Sequence, residues 1–475
     1  MKKQICLLVF AILFLLSSCK KALVETPHSI LTAQTFFKTK ADAYAALYGV
    51  FAILQQQNYY QRTVYLISDI SADLIKPANT NSDRVQLNTG TYTPSNGQIY
   101  NWWIKPYSLI QRANDLLAYV PQISSTEMSE SEKNNILGNA SFLRGFAYFN
   151  LVKSFGDVPL VIDSKNGDLF PVRTPAQQVY DQVISDLKYA EQNCVHLHEI
   201  PADKIGLASS EAASALLARV YLQKASTSFG TVADNQSALE YCSKVIAYSA
   251  ANAGALTLVS DYASIFNPDL PNGKECILSV QFGQQTLNIT KQMFNPSTLG
   301  GFGSLIGQVS YYESFSADDI IRRTVNIGNT NNSFRYISKY QDPGVAPGSF
   351  GRNNFIILRY ADVLLMQSEA MNNINPGNNM KFDGINKVRL RAMPAAIPLS
   401  LANTPGPADF VTALVNERAW EFGVEGHRRW DLIRLKRFQQ IKLAQGYTID
   451  DNHLLFPIPQ SEIDLNRNLV QNPGY

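Results

Sequence analysis

Helical patterns that recur in pairs constrain the fold of this chain more than any other sequence feature. Apolar residues repeat at three- and four-residue steps, and small residues alternate with Tyr, Phe and Leu, so that neighbouring helices can approach closely. The segments are KADAYAALYGVFAILQQQ, WWIKPYSLIQRANDLLAYV, NNILGNASFLRGFAYFNLVKSFG, AQQVYDQVISDLKYAEQN, SSEAASALLARVYLQKA and NQSALEYCSKVIAYSA. We therefore predict a mainly α-helical, tetratricopeptide-like α-α superhelix of degenerate repeats, because insertions interrupt the period of about 34 residues.

The chain changes character between residues 251 and 354, where Gly, Asn, Ser and Pro dominate and short β-like runs occur between them. A long irregular, partly β insertion in a helical scaffold is typical of a binding surface or a lid. Helical patterns return in FIILRYADVLLMQSEAMNNIN and DGINKVRLRAM, whereas the tail LLFPIPQSEIDLNRNLVQNPGY is predicted to be non-helical. We expect four segments: a signal peptide (1–18), an N-terminal tetratricopeptide-like region (19–250), the irregular insertion (251–354) and a C-terminal region (355–475). The C-terminal region is expected to pack into the same domain as the helical region.

The N-terminus has the pattern of a bacterial signal peptide. Lys2 and Lys3 precede an apolar run that is short for a membrane span and ends in LSSC, the form of a lipobox. We expect residues 1–18 to be removed and Cys19 to carry acyl chains that anchor the protein to a membrane. An uncleaved anchor and an ordinary secretory signal are the alternatives. No other segment is long and apolar enough to predict a second membrane helix.

Charge and motifs exclude several function classes. The 41 basic and 39 acidic residues form no long run of either sign, which argues against nucleic acid as a partner. Cys194, Cys242 and Cys276 have no spacing typical of disulfides or metal clusters. His196 and His198 lack further ligands at zinc spacing, and GGFGSLIG lacks the context of a nucleotide loop. We expect no metal and no cofactor.

The segment NERAWEFGVEGHRRWDLIRLKRF raises the question of catalysis. Glu417, Glu421 and Glu425 would share one face of a helix that ends near Gly426, and a second helix would follow. Carboxylates in this pattern serve either acid–base chemistry or structural ion pairs, and a catalytic pair would need to flank a substrate across a cleft. We favour a scaffold of buried Arg–carboxylate pairs formed by Glu417, Arg418, Glu421, Glu425, Arg428, Asp431 and Arg434.

Trp102 is the residue that most suggests sugar recognition. Trp103, Tyr107, Ile110 and Asn114 form a core stripe on the predicted helix, and Trp102 points away from that stripe beside a polar loop. An exposed indole there would stack on a pyranose ring. A second core face is the equally open alternative.

These pieces together resemble the SusD/RagB family of outer-membrane lipoproteins from Bacteroidota. The resemblance covers nearly the whole chain, and it is carried by LSSCKKALVETP, FLRGFAYFNLVKSFGDVPLV, RTPAQQVYDQVISDLKYAE, EAASALLARVYLQ, LRYADVLLMQSEAMN, INKVRLRA, NERAWEFGVEGHRRWDLIRLKRF and the C-terminal tail. It implies about four helical hairpins, an insertion that carries much of the ligand surface, no enzymatic activity and a SusC-like TonB-dependent outer-membrane transporter as partner.

The resemblance implies a nutrient-binding lipoprotein at the surface of the outer membrane that captures an oligosaccharide, but it does not identify the ligand. Candidate contacts chosen by composition and position are Asp69, Asp73, Arg84, Tyr92, Trp102, Tyr311 and Tyr312. A peptide- or glycopeptide-binding homologue is one alternative. A surface glycoside hydrolase that uses Glu421 or Glu425 is another.

Overall fold

The computed structural model describes residues 33–163, 168–330 and 334–475. The predicted signal peptide and Cys19 lie outside these ranges. The helices, in chain order, are α1 Ala33–Phe36, α2 Lys40–Leu54, α3 Thr63–Tyr65, α4 Ser82–Thr89, α5 Gly97–Tyr119, α6 Glu130–Phe155, α7 Ala176–Asn193, α8 Ser210–Ala225, α9 Val232–Ala251, α10 Thr290–Phe294, α11 Val309–Ser314, α12 Ile320–Asn326, α13 Tyr360–Ile374, α14 Lys381–Ala392, α15 Pro407–Glu421, α16 Arg428–Arg434, α17 Phe438–Ala444 and α18 Gln460–Leu465. The strands are β1 Ile75–Pro77, β2 Cys276–Val280, β3 Leu305–Gly307, β4 Ile327–Thr330, β5 Phe334–Ile337 and β6 Phe355–Arg359.

The predicted helical segments of the first half form α2 and α5 to α9. Polar residues before α5, α6 and α8 cap their first turns: the side chains of Asn96, Ser129 and Ser209 accept hydrogen bonds from backbone N–H groups. Helices adjacent in the chain pack against each other from α5 through α9. Small residues permit this packing, since a Cβ at Gly145 of α6 would lie 3.1 Å from the Leu187 side chain of α7.

Two short antiparallel strand pairs among the described residues join the insertion to the rest of the fold, and a third lies within the insertion. Strand β1, from the first half of the chain, pairs with β3 of the insertion, while β4 pairs with β5. Strand β2 pairs with β6, and all five residues of β6 are buried. The prediction of one continuous helix from Phe355 onward is therefore wrong for its first five residues, because their burial and their ladder to β2 favour an extended chain.

Two helix boundaries in the second half also differ from expectation. Helix α15 ends at Glu421, so Glu425 lies beyond it in a turn that contains Val424 (φ 61°) and Gly426 (φ 79°). The restart at Arg428 agrees with the prediction. The tail contains the short helix α18 after Pro459, whereas we expected no helix there.

Within the described residues, no helix is both long and apolar enough to cross a membrane.

A candidate ligand-binding surface on the insertion

Glu421 lies at the centre of a buried ion-pair network. Its carboxylate pairs with the guanidiniums of Arg322, Arg359 and Arg391, and its own side chain is fully buried. Burial alone would raise the pKa of Glu421, but the charges of Arg391, Arg359 and Arg322 hold it well below its usual range. The carboxylate is therefore ionised and enclosed by protein cations.

The other members of the predicted scaffold are buried and paired in the same way. Each contact below joins a cation to a carboxylate at hydrogen-bond distance. The pairs are Glu417 with Arg322, Arg418 with Asp431 and Asp362, Glu425 with Lys339 and Arg359, Arg428 with Asp73, and Arg434 with Glu369 and Asp431. These carboxylates do not flank an open cleft, so the arrangement favours a structural role over catalysis.

Several of the proposed ligand contacts lie in the protein interior. Asp69 is fully buried, and its Oδ2 accepts a hydrogen bond from the Gly426 N–H at 3.1 Å. The Asp73 carboxylate forms a two-point ion pair with Arg428 at 2.7 Å. Tyr92 donates to the His453 carbonyl and accepts from Arg429, while Tyr311 donates to the Ala419 carbonyl at 3.2 Å. These groups already have protein partners and are not available to a ligand at the surface.

Trp102 belongs to the core, so of the two alternatives the second core face is correct and the exposed indole is wrong. Its side chain is 1% exposed, and its Nε1 donates to the Ser154 hydroxyl at 3.0 Å. The physical reason is that α5 packs against α2 on one side and α6 on another, so that the helix has two apolar faces. Trp103, on the predicted stripe, is equally buried.

The two remaining candidates reach the surface. Tyr312 is half-buried, with the guanidiniums of Arg335 and Arg323 at 4.8 and 5.6 Å from its ring centroid. Arg84 is also half-buried, and it lies close to Arg62. In the described part of the chain, neither Arg62 nor Arg84 has a carboxylate partner, and Arg62 Nε is buried without a hydrogen bond.

Phe302 is the most exposed aromatic side chain of the insertion. It is 63% exposed at the tip of the loop that precedes β3. Three consecutive backbone N–H groups hold this loop: Phe302 donates to the Gln292 carbonyl at 2.6 Å, Gly303 to Asn295 at 2.7 Å and Ser304 to Met293 at 3.0 Å. An aromatic ring on a fixed backbone suits stacking against a flat apolar ligand face.

The glycines beside Phe302 explain how the ring is presented. A Cβ at Gly301 would lie 2.1 Å from the Asn295 carbonyl oxygen, and Gly300 has φ 77° and abuts Pro347. Only glycine allows this close approach, and only glycine adopts the left-handed conformation without strain. The motif GGFGSLIG thus folds into a loop that points an aromatic ring outward.

The short helix α10 clamps a second loop beside the first. Lys291 donates to the carbonyls of Ala346 at 2.8 Å and Pro347 at 3.3 Å, and Gln292 donates to the Gly348 carbonyl. Phe350, at the end of that loop, is 37% exposed. The exposed rings of Phe302 and Phe350 therefore lie on two loops that are both hydrogen-bonded to α10.

The segments that carry Arg62 and Arg84 are hydrogen-bonded to the insertion. Thr290 Oγ1 donates to the carbonyl of Gln61, the residue before Arg62, at 3.3 Å. Further along, the Ala78 N–H donates to the Ser304 carbonyl at 3.0 Å. Burial lowers the pKa of both Arg62 and Arg84, and repulsion from Arg62 lowers the pKa of Arg84 further. We call the exposed parts of Arg62, Arg84, Leu299, Phe302 and Phe350 the insertion surface.

Sequence reasoning missed Phe302, Phe350 and Arg62. The glycines of GGFG indicate a turn, which places Phe302 in a loop, but they do not indicate where its ring points. Arg62 follows the irregular segment Gln57–Gln61, in which Asn58 and Tyr59 depart from helical dihedral angles, and simple periodicity does not predict such a kink.

Histidine and cysteine side chains show no metal-binding arrangement in the described ranges, where no group of three or more His, Cys, Asp or Glu side chains could hold an ion. His196 instead contacts Glu211 at 2.6 Å. Burial raises the pKa of Cys242, a property of an inert core thiol.

Comparison with known proteins identifies the family. Residues 322–475 match the model of the SusD family, and residues 25–222 match a model described as starch-binding associating with outer membrane. SusD-like protein P2 of Formosa agariphila is 28% identical, covering 95% of this chain and 96% of that protein. The starch-binding protein SusD of Bacteroides thetaiotaomicron is 22% identical, covering 88% and 86%.

A solved structure extends the same likeness to three dimensions. The crystal structure of a SusD superfamily protein from Parabacteroides distasonis has a TM-score of 0.80 and 26% identity, covering 94% of this chain and 100% of that one. The mostly helical chain with few short strands matches the tetratricopeptide-like fold of SusD-superfamily structures, and the predicted fold class is confirmed. The chain belongs to the SusD/RagB family.

Proposed function

We propose that this protein captures oligosaccharides at the outer membrane on the insertion surface and delivers them to a SusC-like TonB-dependent transporter. The observation that carries this proposal is the exposed Phe302 ring on its fixed loop. The ring can stack on a pyranose face, and the guanidiniums of Arg62 and Arg84, which have no carboxylate partner among the described residues, can donate to sugar hydroxyls. The family description as starch-binding and outer-membrane associated supports the same ligand class.

Retention at the membrane rests on the LSSC motif. Acyl chains on Cys19 would anchor the chain without a spanning helix. Delivery then requires a channel in the membrane, which is the role we assign to the transporter. Neighbouring genes and a pull-down in mild detergent test this part, and the absence of any barrel protein in both would contradict it.

We further propose that the protein has no catalytic activity. The carboxylates that a hydrolase would need, Glu421 and Glu425, are enclosed by arginines and a lysine. Incubation with glycan pools should therefore release no product. Product release by the purified parent chain would instead support the hydrolase alternative.

A glycan array on the purified mature chain tests the main proposal. We expect hits, and we expect Phe302→Ala to weaken binding of the best hit by about 1–3 kcal/mol, on the scale of aromatic stacking on other flat ligands. Phe170→Ala is the matched control, since Phe170 is 54% exposed on a different surface. Binding to peptides but not to glycans would favour the peptide or glycopeptide alternative.

A further inference from the structure

Arg62 and Arg84 are two half-buried cations without a counterion among the described residues. No carboxylate in the described ranges contributes to the charge environment of either guanidinium. Arg62 Nε is moreover buried without a hydrogen-bond partner in the described chain. Buried donors are satisfied in about nine cases of ten or more by protein or water. The unsatisfied guanidinium N–H therefore leaves a place for an acceptor from outside the chain.

Neighbouring contacts place the segments that carry these two arginines at the first turn of α5. Thr63 follows the first arginine in the chain, and its hydroxyl donates to the Gln98 side chain at 3.4 Å. Asp83 precedes the second arginine, and its carboxylate accepts from the Gly97 N–H at 3.1 Å. Gly97 and Gln98 are the first two residues of α5. Two segments that are separate in the chain thus bring their cations to one end of one helix.

The backbone on which each arginine is mounted is held in place. The carbonyl of Gln61, directly before Arg62, accepts from Thr290 Oγ1 at 3.3 Å, and Gln61 itself is buried. The N–H of Arg84 donates to Asn81 Oδ1 at 3.2 Å in the first turn of α4. A ligand group that binds between fixed segments costs less ordering entropy than one that must arrange them.

The electrostatics at this end of α5 favour a negative charge. Burial lowers the pKa of both arginines, and repulsion from Arg62 lowers the pKa of Arg84 further. The carboxylate of Asp83 does not offset this repulsion by an ion pair, since it is bound to the Gly97 N–H. The N-terminus of a long helix adds partial positive charge. An anion in contact with both guanidiniums would stabilise their charged forms.

We propose that Arg62 and Arg84 bind the acidic group of an anionic glycan, either a uronate carboxylate or a sulfate ester. A guanidinium binds such oxyanions through parallel N–H donors, and these charge-assisted hydrogen bonds are stronger than those to neutral hydroxyls. The inference rests on the proposed function and narrows its ligand class. Because both arginines belong to the insertion surface, that surface selects acidic oligosaccharides over neutral ones.

A glycan array followed by calorimetry on the purified mature chain tests this proposal. The array carries oligogalacturonates, chondroitin sulfate tetrasaccharides and neutral malto-oligosaccharides. The best acidic hit is then titrated beside the same oligosaccharide after carboxyl reduction or desulfation. We expect the acidic form to bind about ten-fold more tightly than its neutral form, on the scale of one hydrogen bond to a charged group. Added NaCl should reduce this difference by screening.

The two arginine variants locate the acidic group. Arg62→Met and Arg84→Met should each weaken binding of the acidic probe by about ten-fold and leave binding of the neutral probe within about two-fold. Arg112→Met is the matched control. Arg112 donates to the Gly49 carbonyl at 2.9 Å and forms no ion pair in the described ranges. It lies on the same helix but roughly 22 Å of helix rise from Gly97, so this variant should bind as the parent does.

The outcomes separate this inference from the proposed function. Hits confined to neutral glycans, equal affinity for the two probe forms, or unchanged acidic binding in both arginine variants would overturn the inference and leave the proposed function standing. Equal weakening of both probe forms in the variants would also overturn it, since the arginines would then contact sugar hydroxyls without selecting charge. An array without any hit would contradict both. The comparison of the two probe forms uses the parent chain, so it decides the question even if a variant does not fold.

Discussion

The guanidinium of Arg359 binds Glu421 twice: one nitrogen donates to its side-chain carboxylate, and another donates to its main-chain carbonyl at 2.6 Å. This double contact fixes the end of α15 against β6. It also shows how Glu421, one of the three glutamates whose spacing raised the question of catalysis, instead holds two elements of the fold together.

Glu421→Gln should destabilise the fold strongly. Loss of the charge leaves three buried guanidiniums without their shared anion, and breaking a buried pair in this way costs about 3–5 kcal/mol. Denaturant unfolding measures the difference. Glu313→Gln is the control, because Glu313 is 65% exposed at 3.9 Å from Arg335 and should cost about 1 kcal/mol or less. Equal effects of the two substitutions would contradict the structural role.

Asp69→Asn should be tolerated at neutral pH. Burial raises the pKa of Asp69 well above its usual value, so the folded chain holds this proton more tightly than the unfolded chain. The stabilisation from this proton is fully present at pH values below the pKa of Asp69 in the unfolded chain. It is lost as the pH rises from that value to the raised pKa of the folded chain.

The parent should therefore lose stability relative to Asp69→Asn across that window, by at most about 1.4 kcal/mol per pH unit. Unfolding free energies from pH 4 to pH 8 measure this difference. Asp181→Asn, at an exposed position of α7, should show no such trend. A variant that is less stable than the parent by the same amount at every pH would refute the expectation.

Trp102→Ala and Trp103→Ala should both destabilise the protein by about 3–5 kcal/mol, because both indoles are buried in α5. Thermal and denaturant unfolding measure the loss. Tyr100→Ala, at a position of the same helix that is 37% exposed, should cost far less. A stable Trp102→Ala variant with weakened glycan binding would restore the discarded stacking role.

Gly301→Ala should weaken glycan binding without unfolding the scaffold. The added Cβ would meet the Asn295 carbonyl oxygen at 2.1 Å, so the loop must shift and move Phe302 from its position. Gly348→Ala is the matched control, since a Cβ there meets no atom within 4 Å. Glycan affinity and melting temperature are both measured, and equal affinity for the two variants would count against the loop as the binding element.

Cys19→Ala should convert a membrane-bound protein into a soluble or uncleaved one, because the acylated thiol is lost. Detergent-phase partitioning measures this change. Cys194→Ala should partition as the parent does, since Cys194 is a buried thiol of the helical scaffold. Unchanged partitioning of Cys19→Ala would refute lipidation.

Periodicity predicted the long helices because each buries a continuous apolar stripe that the sequence displays. It did not predict where Trp102 points, since the burial of a second face depends on α2 and α6 together. Phe355–Arg359 was assigned to a helix because a short apolar run carries no information about its partner strand. The insertion surface was missed because its loops are held by hydrogen bonds between segments remote in the chain, which a sequence pattern does not display.

The ion pair between Asp73 and Arg428 joins residues 355 positions apart in the chain. Lys442, on α17, likewise donates to the carbonyls of Ala72 and Asn88. The first helices can form from local contacts, whereas these contacts between Asp73 and Arg428 and around Lys442 need almost the entire chain. Contacts of such sequence separation slow folding, because the entropy of closing the chain is lost before they form. The Asp73–Arg428 pair therefore requires nearly the whole chain, and chains that end before Arg428 would leave Asp73 without its cation.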